Sequence, residues 1–248
     1  MPRQRTCLWI WESSRLGPQE KETEESMAPY HIRKYQDQDR EKVIDIFTKG
    51  ILYHVPAVFF HLLKQPRGFL LLLGGPGALF LGSASYILSL LAFLGLLTIL
   101  WWIARYPYSD YVDYTLHTDM RDIRKTYLSD KGSCFWVAES EGQIVGMVCA
   151  RPVQEALGPK KLELLHLSVG EEHRGQGMAK SLTQTVLQFA QDQGYANVVL
   201  STHALNYAAH RLYQHQGFWK THEAYDSLKW KMIAVPFFFF EYTVPSSF

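Results

Sequence analysis

The chain has 248 residues, carries a formal net charge of +1 at neutral pH, and has 20% charged side chains. This length is sufficient for one domain with a sizeable core plus a small additional element. The balanced charge, and the lack of a basic stripe with interleaved aromatic residues, argue against nucleic acid as a partner. The three cysteines have no Cys-x-x-Cys spacing, so neither a disulfide framework nor a zinc site is expected. Cys134 and Cys149 lie in strand-like runs, where small buried thiols are expected.

The N-terminal part of the chain separates into two segments. Residues 1–29 are mostly polar with mixed charge, and they predict a disordered N-terminal extension. Residues 30–57 begin with apolar–polar alternation from Tyr30 to Gln36, which is typical of a short strand. Asp37 or Asp39 is then a candidate helix cap. The helix that follows has an apolar stripe formed by Val43, Ile44, Ile46, Phe47 and Ile51.

A long apolar segment comes next, because no charged residue occurs from Gly68 to Ala104, a run of 37 residues. A single membrane helix needs roughly 20 apolar residues. The run is interrupted by Gly74-Gly75-Pro76-Gly77, which is a strong helix-breaking signal. We therefore expect a membrane-embedded helical hairpin over residues 58–104 that turns at these glycines, with Trp101-Trp102 as an anchor at the lipid interface. The alternative is a buried helical pair within a soluble core.

Residues 105–248 form the remainder of the main domain. Successive patterns predict a helix within 110–128, two strands around Glu141-Gly142, a strand at 162–169, a helix ending at Gly194, a strand at 197–203, a helix ending at Gly217, and two last strands around Pro236. Together with the first strand and helix, this order predicts an α/β fold. Its sheet is expected to be mixed and mostly antiparallel, with helices on both faces.

The turn after the 162–169 strand contains the sequence His173-Arg174-Gly175-Gln176-Gly177-Met178-Ala179. The free N–H groups at a helix start attract anions, and a side chain at either glycine would hold a phosphate away from them. Arg174 adds a charged donor, so the turn suits a pyrophosphate, although an ordinary turn has the same composition. No P-loop motif is present, and Lys180 stands where a Rossmann fingerprint needs its third glycine.

Two motifs together indicate a family. Arg174-x-x-Gly177-x-Ala179 follows the strand sequence LELLHLSV, and Asn206 precedes Tyr213 by seven residues and Gly217-Phe218 by eleven. In these motifs the chain resembles the GNAT family of acetyl-CoA-dependent N-acetyltransferases, over most of its length outside the apolar insertion. The insertion itself and the phrase LYQHQGF resemble the camello or N-acetyltransferase-8 branch. Members of that branch acetylate cysteine S-conjugates or lysines of secretory-pathway proteins.

The resemblance implies a GNAT fold, acetyl-CoA as co-substrate and no metal. The family's fourth and fifth strands, here 162–169 and 197–203, splay apart to admit the cofactor. The residues matching Leu167, Ser168 and Val169 offer main-chain groups to the pantetheine arm. The residues that cradle the pyrophosphate match Arg174, Gly175, Gln176, Gly177, Met178 and Ala179. The residue matching Asn206 bonds the cofactor or its neighbouring backbone.

The implied reaction needs an acid for the departing thiolate and a base for the attacking amine. The family's tyrosine at the place of Tyr213 reaches the sulfur, so Tyr213 is the expected acid. Glu163 is the first choice for the base, since it lies six residues before Val169 on the same strand face. His166 on the opposite face is the alternative, and bulk water without a dedicated base is the third possibility. Three further histidines are expected at the surface or the pocket rim, not on a metal: His203, His210 and His215.

Positive charges are nearly balanced on the two sides of the apolar run, which favours a hairpin with both ends in the cytosol over a single span. We therefore expect an enzyme of the endoplasmic reticulum membrane, or of the ER–Golgi intermediate, with a cytosolic catalytic domain. The expected partners are membrane lipid and a small amine, with cysteine S-conjugates as the first choice. A protein lysine of the secretory pathway is the second choice, and a non-catalytic camello-type role in trafficking or cell adhesion is a third. The oligomeric state is left open.

Overall fold

The computed structural model describes residues 30–153 and 158–245. The extension expected over residues 1–29 lies outside this part of the chain. The strands are β1 (His31–Lys34), β2 (Cys134–Ser140), β3 (Gln143–Pro152), β4 (Lys161–Val169), β5 (Asn197–His203), β6 (Trp219–Ala224) and β7 (Phe237–Thr243). The helices are α1 (Arg40–Leu52), α2 (Val55–Lys64), α3 (Pro66–Ser83), α4 (Tyr86–His117), α5 (Ile123–Tyr127), α6 (Met178–Asp192), α7 (Tyr207–His215) and α8 (Leu228–Met232).

The strands form one sheet in the order β1-β2-β3-β4-β5-β7-β6. Of the neighbouring pairs in the described residues, β4 and β5 are parallel and the others are antiparallel. A parallel pair requires a crossover connection, and α6 supplies it between β4 and β5. The predicted mixed, mostly antiparallel sheet flanked by helices is confirmed.

Each face of the sheet has its own hydrophobic cluster. One face packs against α6 and α7 and includes Leu162 of β4. The opposite face packs against α1, α5 and the end of α4, where Val43 and Phe47 are fully buried. The apolar stripe predicted for α1 therefore faces the core. Cys134 and Cys149 are free and buried, which confirms the prediction for these two thiols.

Asp39 occupies the N-cap position immediately before α1, but its side chain does not cap the helix. Its buried carboxylate accepts hydrogen bonds from the two terminal nitrogens of Arg33, at 2.7 and 2.8 Å, and from the Gln36 N–H at 2.8 Å. Arg33 also donates to Glu139 of β2 at 2.7 Å. This partly buried ion-pair network joins β1, the start of α1 and β2.

The apolar insertion forms a helical hairpin, but the predicted position of its turn is wrong. Gly74-Gly75-Pro76-Gly77 lies inside α3, and the chain reverses at Ala84, whose φ is +51°. Capping hydrogen bonds are present at both helix ends there. At the end of α3 the Ala84 N–H donates to the Phe80 carbonyl at 2.8 Å, and at the start of α4 Ser85 Oγ accepts from the Leu88 N–H at 3.4 Å. The glycine run has no capping side chains, and an apolar environment favours backbone that is hydrogen-bonded within a helix.

The two legs of the hairpin pack against each other and expose apolar side chains outward. Ser89 Oγ of α4 donates to the Pro76 carbonyl of α3 at 2.7 Å. Leu81 is 85% exposed and Ile87 is 74% exposed. Within the described residues, two helical stretches are long and apolar enough to cross a membrane, Asp37–Lys64 and Tyr86–His117. The first stretch includes α1, which packs on the sheet, whereas the second is mostly exposed.

Two other predicted elements differ from the structure. The helix expected within 110–128 is divided, since α4 is one 32-residue helix that continues from the hairpin to His117 and α5 follows after a turn. Leu228–Met232, expected in a strand, forms α8, and the sequence pattern misses β6. All six residues of β6 are exposed, so this edge strand lacks the alternation that identifies a half-buried strand.

Candidate active site

The central parallel pair opens into a gap. β4 and β5 pair only from Lys161–Asn197 to Glu163–Val199, and beyond that point the two strands diverge. The second half of β4 therefore has a free edge facing β5, as the splay predicted from the family requires. His166 has a φ of +53° and lies where the β3–β4 register shifts, which identifies a β-bulge in this free half.

The glycine turn lies at the open end of the gap. Gly175 and Gly177 both have φ of +79°, a backbone conformation that a residue with a side chain rarely adopts. A Cβ added at either position would meet nothing within 4 Å, so the space above both glycines is open. Gly177 begins α6 without a side-chain cap, which leaves the first N–H groups of the helix available. This cradle fits a pyrophosphate.

Arg174 does not point at the first turn of α6. Its Nε donates to the Val169 carbonyl at 3.2 Å, and its guanidinium carbon lies 4.0 Å from the ring centroid of Tyr53. Arg174 therefore bridges the end of β4 and the junction between α1 and α2. The cation–π contact holds a positive charge at the mouth of the gap.

Asn206 and Tyr213 have different surroundings within α7. Asn206 Oδ1 accepts from the Ala209 N–H and its Nδ2 donates to Thr202 Oγ1, both at 3.3 Å, so this side chain caps α7 and ties it to β5. Tyr213 is 6% exposed and packs against the rings of Phe218 and Phe240. Burial raises the pKa of the Tyr213 hydroxyl, which keeps it protonated as an acid must be.

Glu163 and His166 both have charged partners. The Glu163 carboxylate accepts from Nε and Nη2 of Arg151 at 3.2 Å, at the closed end of the gap. His166 Nε2 lies 2.7 Å from Asp119 Oδ2. Burial alone would raise the pKa of Asp119, but the hydrogen bond and charge of His166, with the hydroxyl of Tyr127, outweigh it and hold that pKa at about 2.

The structure brings together three residues that the sequence analysis does not group, His54, Tyr108 and His203. His203 ends β5 and is 7% exposed, so its predicted position at the surface or pocket rim is wrong. Its ring lies 4.5 Å from that of His54 and 5.7 Å from that of Tyr108. Neither ring nitrogen of His203 nor the Tyr108 hydroxyl has a hydrogen-bond partner among the described residues. The sequence does contain a signal for this position of His203. Side chains alternate along a strand, so His203, five residues after Val198, lies on the opposite face of β5.

Other candidate sites lack the same chemistry. Two open surface depressions lie away from the gap, one lined in part by Arg33 and Ile144 and the other by Trp136 and Phe189. Neither contains a residue of the predicted site. In the described part of the chain, no group of three or more His, Cys, Asp or Glu side chains is arranged to hold a metal ion.

Comparison with known proteins gives consistent matches. The model of the acetyltransferase (GNAT) family matches residues 95–218. The mouse protein N-acetyltransferase family 8 member 3 is 53% identical over 221 residues, which cover 89% of this chain and 98% of the relative. Human N-acetyltransferase 8 is 51% identical over 222 residues, again 89% of this chain and 98% of the relative. The crystal structure of a GNAT-family acetyltransferase from Staphylococcus aureus Mu50 aligns with a TM-score of 0.53 at 15% identity, over 87% of this chain and 99% of that one.

These matches agree with the geometry of the gap. The structural likeness supports the fold, and the relatives share about half of their residues with this chain over nearly their whole length. The divided β4–β5 pair and the glycine cradle fit acetyl-CoA, the co-substrate of the matched family. The chain belongs to the GNAT family, in its N-acetyltransferase family 8 branch, and is an acetyl-CoA-dependent N-acetyltransferase.

Proposed function

We propose that this chain is a membrane-bound enzyme that acetylates the amine of small substrates, with cysteine S-conjugates as the preferred class. The β4–β5 gap with its glycine cradle is the observation that carries the acetyl-transfer reaction. A cysteine S-conjugate combines a polar amino-acid end with an apolar thioether group. A site close to a lipid surface suits such a substrate.

The shape of α4 supports this choice of substrate. This helix carries the interface anchors Trp101 and Trp102 and, six residues later, Tyr108 at the gap. Six residues of helix span about 9 Å, so the apolar part of an acceptor can remain at the lipid interface while its amine reaches the gap. A substrate without an apolar part would gain nothing from this arrangement.

The proposed roles in binding follow from the backbone. The free edge of β4 at Leu167, Ser168 and Val169 offers main-chain groups to the pantetheine arm, and the turn from Arg174 to Ala179 holds the pyrophosphate. The side chain of Asn206 is already hydrogen-bonded to Ala209 and Thr202. Its proposed role is therefore indirect, since it positions the backbone next to the cofactor. Acetyl-CoA supplies the activated acetyl group as a thioester.

The proposed roles in proton transfer involve three side chains. Tyr213 gives its proton to the departing thiolate, and its buried hydroxyl is protonated at neutral pH. Glu163 and His166 are the two candidates from the sequence for the group that takes the amine proton. Both have a charged partner, Arg151 for Glu163 and Asp119 for His166, so each has a fixed position but a competing partner.

The proposed location is the endoplasmic reticulum membrane, with the hairpin of α3 and the first half of α4 in the bilayer. The outward apolar side chains of these helices support it, since a water-exposed surface of this kind is unfavourable. α1, α2 and the end of α4 meet on the same side of the sheet, which supports a topology with both ends of the hairpin on one side of the membrane. We propose the cytosolic side.

Acetyl transfer by microsomes that contain the full chain tests this function. Labelled acetyl-CoA is supplied with S-benzylcysteine, aspartate or a lysine peptide as acceptor. We expect transfer to S-benzylcysteine and a loss of roughly 100-fold in kcat for Tyr213→Phe, within the range for a general acid. Tyr207→Phe, on an exposed tyrosine of the same helix, is the matched control and should be unaffected.

Two other results would change the proposal. Transfer to the lysine peptide alone would favour a protein lysine as the natural acceptor. That alternative has the same acetyl-transfer chemistry but needs a larger acceptor surface. No transfer to any acceptor, together with no binding of acetyl-CoA, would contradict an enzymatic role and favour the camello-type role in trafficking or adhesion.

A further inference from the structure

We propose that His203 is a catalytic residue that contacts the acceptor amine and takes its proton, in a pocket that it forms with His54 and Tyr108. This inference rests on the proposed function, because it assigns a side chain to the amine side of that reaction. Three observations carry it, namely the position of His203 along the gap, the face on which it lies and its lack of partners, and its charge state supports them.

The strand register places His203 at the reacting end of the gap. The last paired position of β4 and β5 is Glu163–Val199. His203 lies four residues beyond Val199, and Leu167 lies four residues beyond Glu163. His203 is therefore roughly level with Leu167 and Ser168 across the opening, the stretch of β4 proposed to bind the pantetheine arm. Glu163 lies at the closed end, more than 10 Å of extended strand away at about 3.3 Å per residue.

His203 and Tyr213 approach the gap from opposite faces of the sheet. The side chain of His203 contacts Tyr108 of α4 and His54 at the start of α2. Tyr213 belongs to the cluster of α6 and α7 on the other face. An acceptor that enters from the α4 side therefore contacts His203, while Tyr213 can donate its proton to the leaving sulfur from the α7 side.

The lack of partners distinguishes His203 from the other candidates for the base. Buried polar groups are nearly always hydrogen-bonded, and one that is not needs an explanation. Both ring nitrogens of His203 and the hydroxyl of Tyr108 are buried and unpartnered among the described residues. Glu163 and His166 instead bind Arg151 and Asp119. An acceptor amine with its neighbouring polar groups would satisfy the unpartnered atoms.

The surroundings of His203 keep it neutral, as a proton acceptor must be. Burial, with smaller effects from the neighbouring His54 and His210, lowers the pKa of His203 to about 3. A free base this weak would not deprotonate an ammonium ion, so the acceptor must arrive as the free amine. The amine proton becomes acidic only as the nitrogen bonds to carbon, and a weak base can then take it.

The proposed step balances in atoms and charge. The amine nitrogen forms a bond to the acetyl carbonyl carbon, and the carbon–sulfur bond breaks. One N–H proton moves to the unprotonated nitrogen of His203, and the Tyr213 hydroxyl gives its proton to the sulfur. The products are the N-acetyl amine and free CoA, after which solvent returns a proton from His203 to Tyr213.

The test compares full-length variants in microsomes with S-benzylcysteine as acceptor. His203→Gln should lower kcat by roughly 100-fold, and added imidazole should restore activity to His203→Ala, as expected for a lost proton acceptor. The KM for acetyl-CoA should be unchanged in both. His215→Gln, an exposed histidine of α7, is the matched control. Glu163→Gln and His166→Gln, measured in parallel, should have smaller effects on kcat than His203→Gln.

Near wild-type kcat in His203→Gln would overturn the inference while leaving the proposed function intact. A loss that appears in the KM for acetyl-CoA instead of kcat would also overturn it, because it would indicate a structural role. A wild-type chain that acetylates none of the acceptors would overturn the proposed function first.

A second measurement needs no variant. Diethylpyrocarbonate should modify His203 in the wild-type chain, and saturating S-benzylcysteine should protect it, whereas His215 should be modified equally in both cases. Mass spectrometry reads out each site. No modification of His203, or modification that the acceptor does not change, would show that this imidazole is out of reach of the acceptor and would overturn the inference.

Discussion

At the scale of single residues, the glycine cradle gives the sharpest prediction. Alanine at Gly177 must adopt a φ near +79°, which costs about 1–2 kcal/mol, and its methyl group enters the open space proposed for the pyrophosphate. We expect Gly177→Ala to raise the KM for acetyl-CoA about tenfold, equivalent to about 1.4 kcal/mol, with the KM for the amine unchanged. Steady-state kinetics with each substrate varied in turn measures both.

Gly194 provides a control with the same backbone strain. It follows the end of α6 at a φ of +70°, and a Cβ there also meets nothing within 4 Å. Gly194→Ala should lose a similar amount of stability and keep the KM for acetyl-CoA. An equal rise in that KM for both variants would mean that strain, not the phosphate contact, is responsible.

The buried histidines predict acid sensitivity. Burial, reinforced for His54 by the charge of Arg174, lowers the pKa of His54 to about 4, and burial lowers that of His203 to about 3. Between pH 6.5 and these values the unfolded chain binds protons that the folded chain does not, so the free energy of unfolding falls as pH falls. At pH 5 one such histidine lowers it by roughly 2 kcal/mol relative to pH 7.5.

Thermal unfolding of the detergent-solubilised chain at pH 7.5 and pH 5 measures this effect. His203→Gln should lose less stability on acidification than the wild type, because glutamine does not titrate, whereas His215→Gln should behave like the wild type. Asp119, with a pKa of about 2, stays ionised throughout this interval. Identical pH dependence in His203→Gln and the wild type would show that His203 is not held neutral.

The sequence predicts some residues of the site and not others, for a physical reason. Gly175 and Gly177 are predictable, because backbone that needs a positive φ selects glycine locally. The environment of His203 depends on Tyr108 and Trp230, which are distant in sequence and meet it only through packing. A local pattern can place His203 on a strand face, but it cannot show that the side chain has no partner.

At the scale of elements, α1 packs closely against β4 at its free edge. A Cβ at Gly50 would lie 2.3 Å from Ser168 Oγ, a separation that requires movement. Ser168 Oγ also donates to the Ile46 carbonyl of α1 at 3.2 Å. We expect Gly50→Ala to destabilise the chain by about 1–3 kcal/mol, as overpacking does, and to lower kcat/KM by displacing β4.

The double variant Gly50→Ala with Ser168→Ala tests the mechanism of this effect. Without the hydroxyl, the new methyl group faces the Cβ of residue 168 at 3.4 Å, a tight but tolerable contact. The double variant should recover melting temperature and activity relative to Gly50→Ala, with a coupling energy of about 0.5–3 kcal/mol. If the losses of the two single variants simply add in the double variant, the contact between residues 50 and 168 is not the cause of the destabilisation.

Elements with a buried face are the ones that the sequence predicts. β2 to β5, α1 and α6 each present a periodic apolar pattern to the core, and their positions are close to the predicted ones. The exposed edge strand β6 has no such pattern, and the five-residue helix α8 is shorter than the period needs. The predicted hairpin turn at Gly74–Gly77 is wrong because these residues continue α3, whereas the helix ends at Ala84 and Ser85 have capping hydrogen bonds.

At the scale of the whole molecule, α4 joins the apolar hairpin to the candidate active site as one continuous helix. Its first half packs against α3, and its second half supplies Tyr108 and Val112 to clusters of the catalytic domain. α4 remains helical through Pro107, so a single element connects the hairpin to the gap. This supports the proposal that the acceptor amine enters beside α4, at a constant depth from the lipid surface.

The same continuity makes the topology testable. The 18 residues of α3 span about 27 Å, close to the roughly 30 Å of a hydrocarbon core, so the turn at Ser83–Ser85 should reach the far side of the membrane. In a Cys7→Ser background, we introduce cysteine at Ser83 or at Gln193, an exposed position after α6. In sealed microsomes an impermeant maleimide should label Gln193→Cys directly and Ser83→Cys only after permeabilisation. The reverse pattern would place the catalytic domain in the lumen and favour lysines of secretory-pathway proteins as substrates, and direct labelling of both would show that the hairpin does not cross.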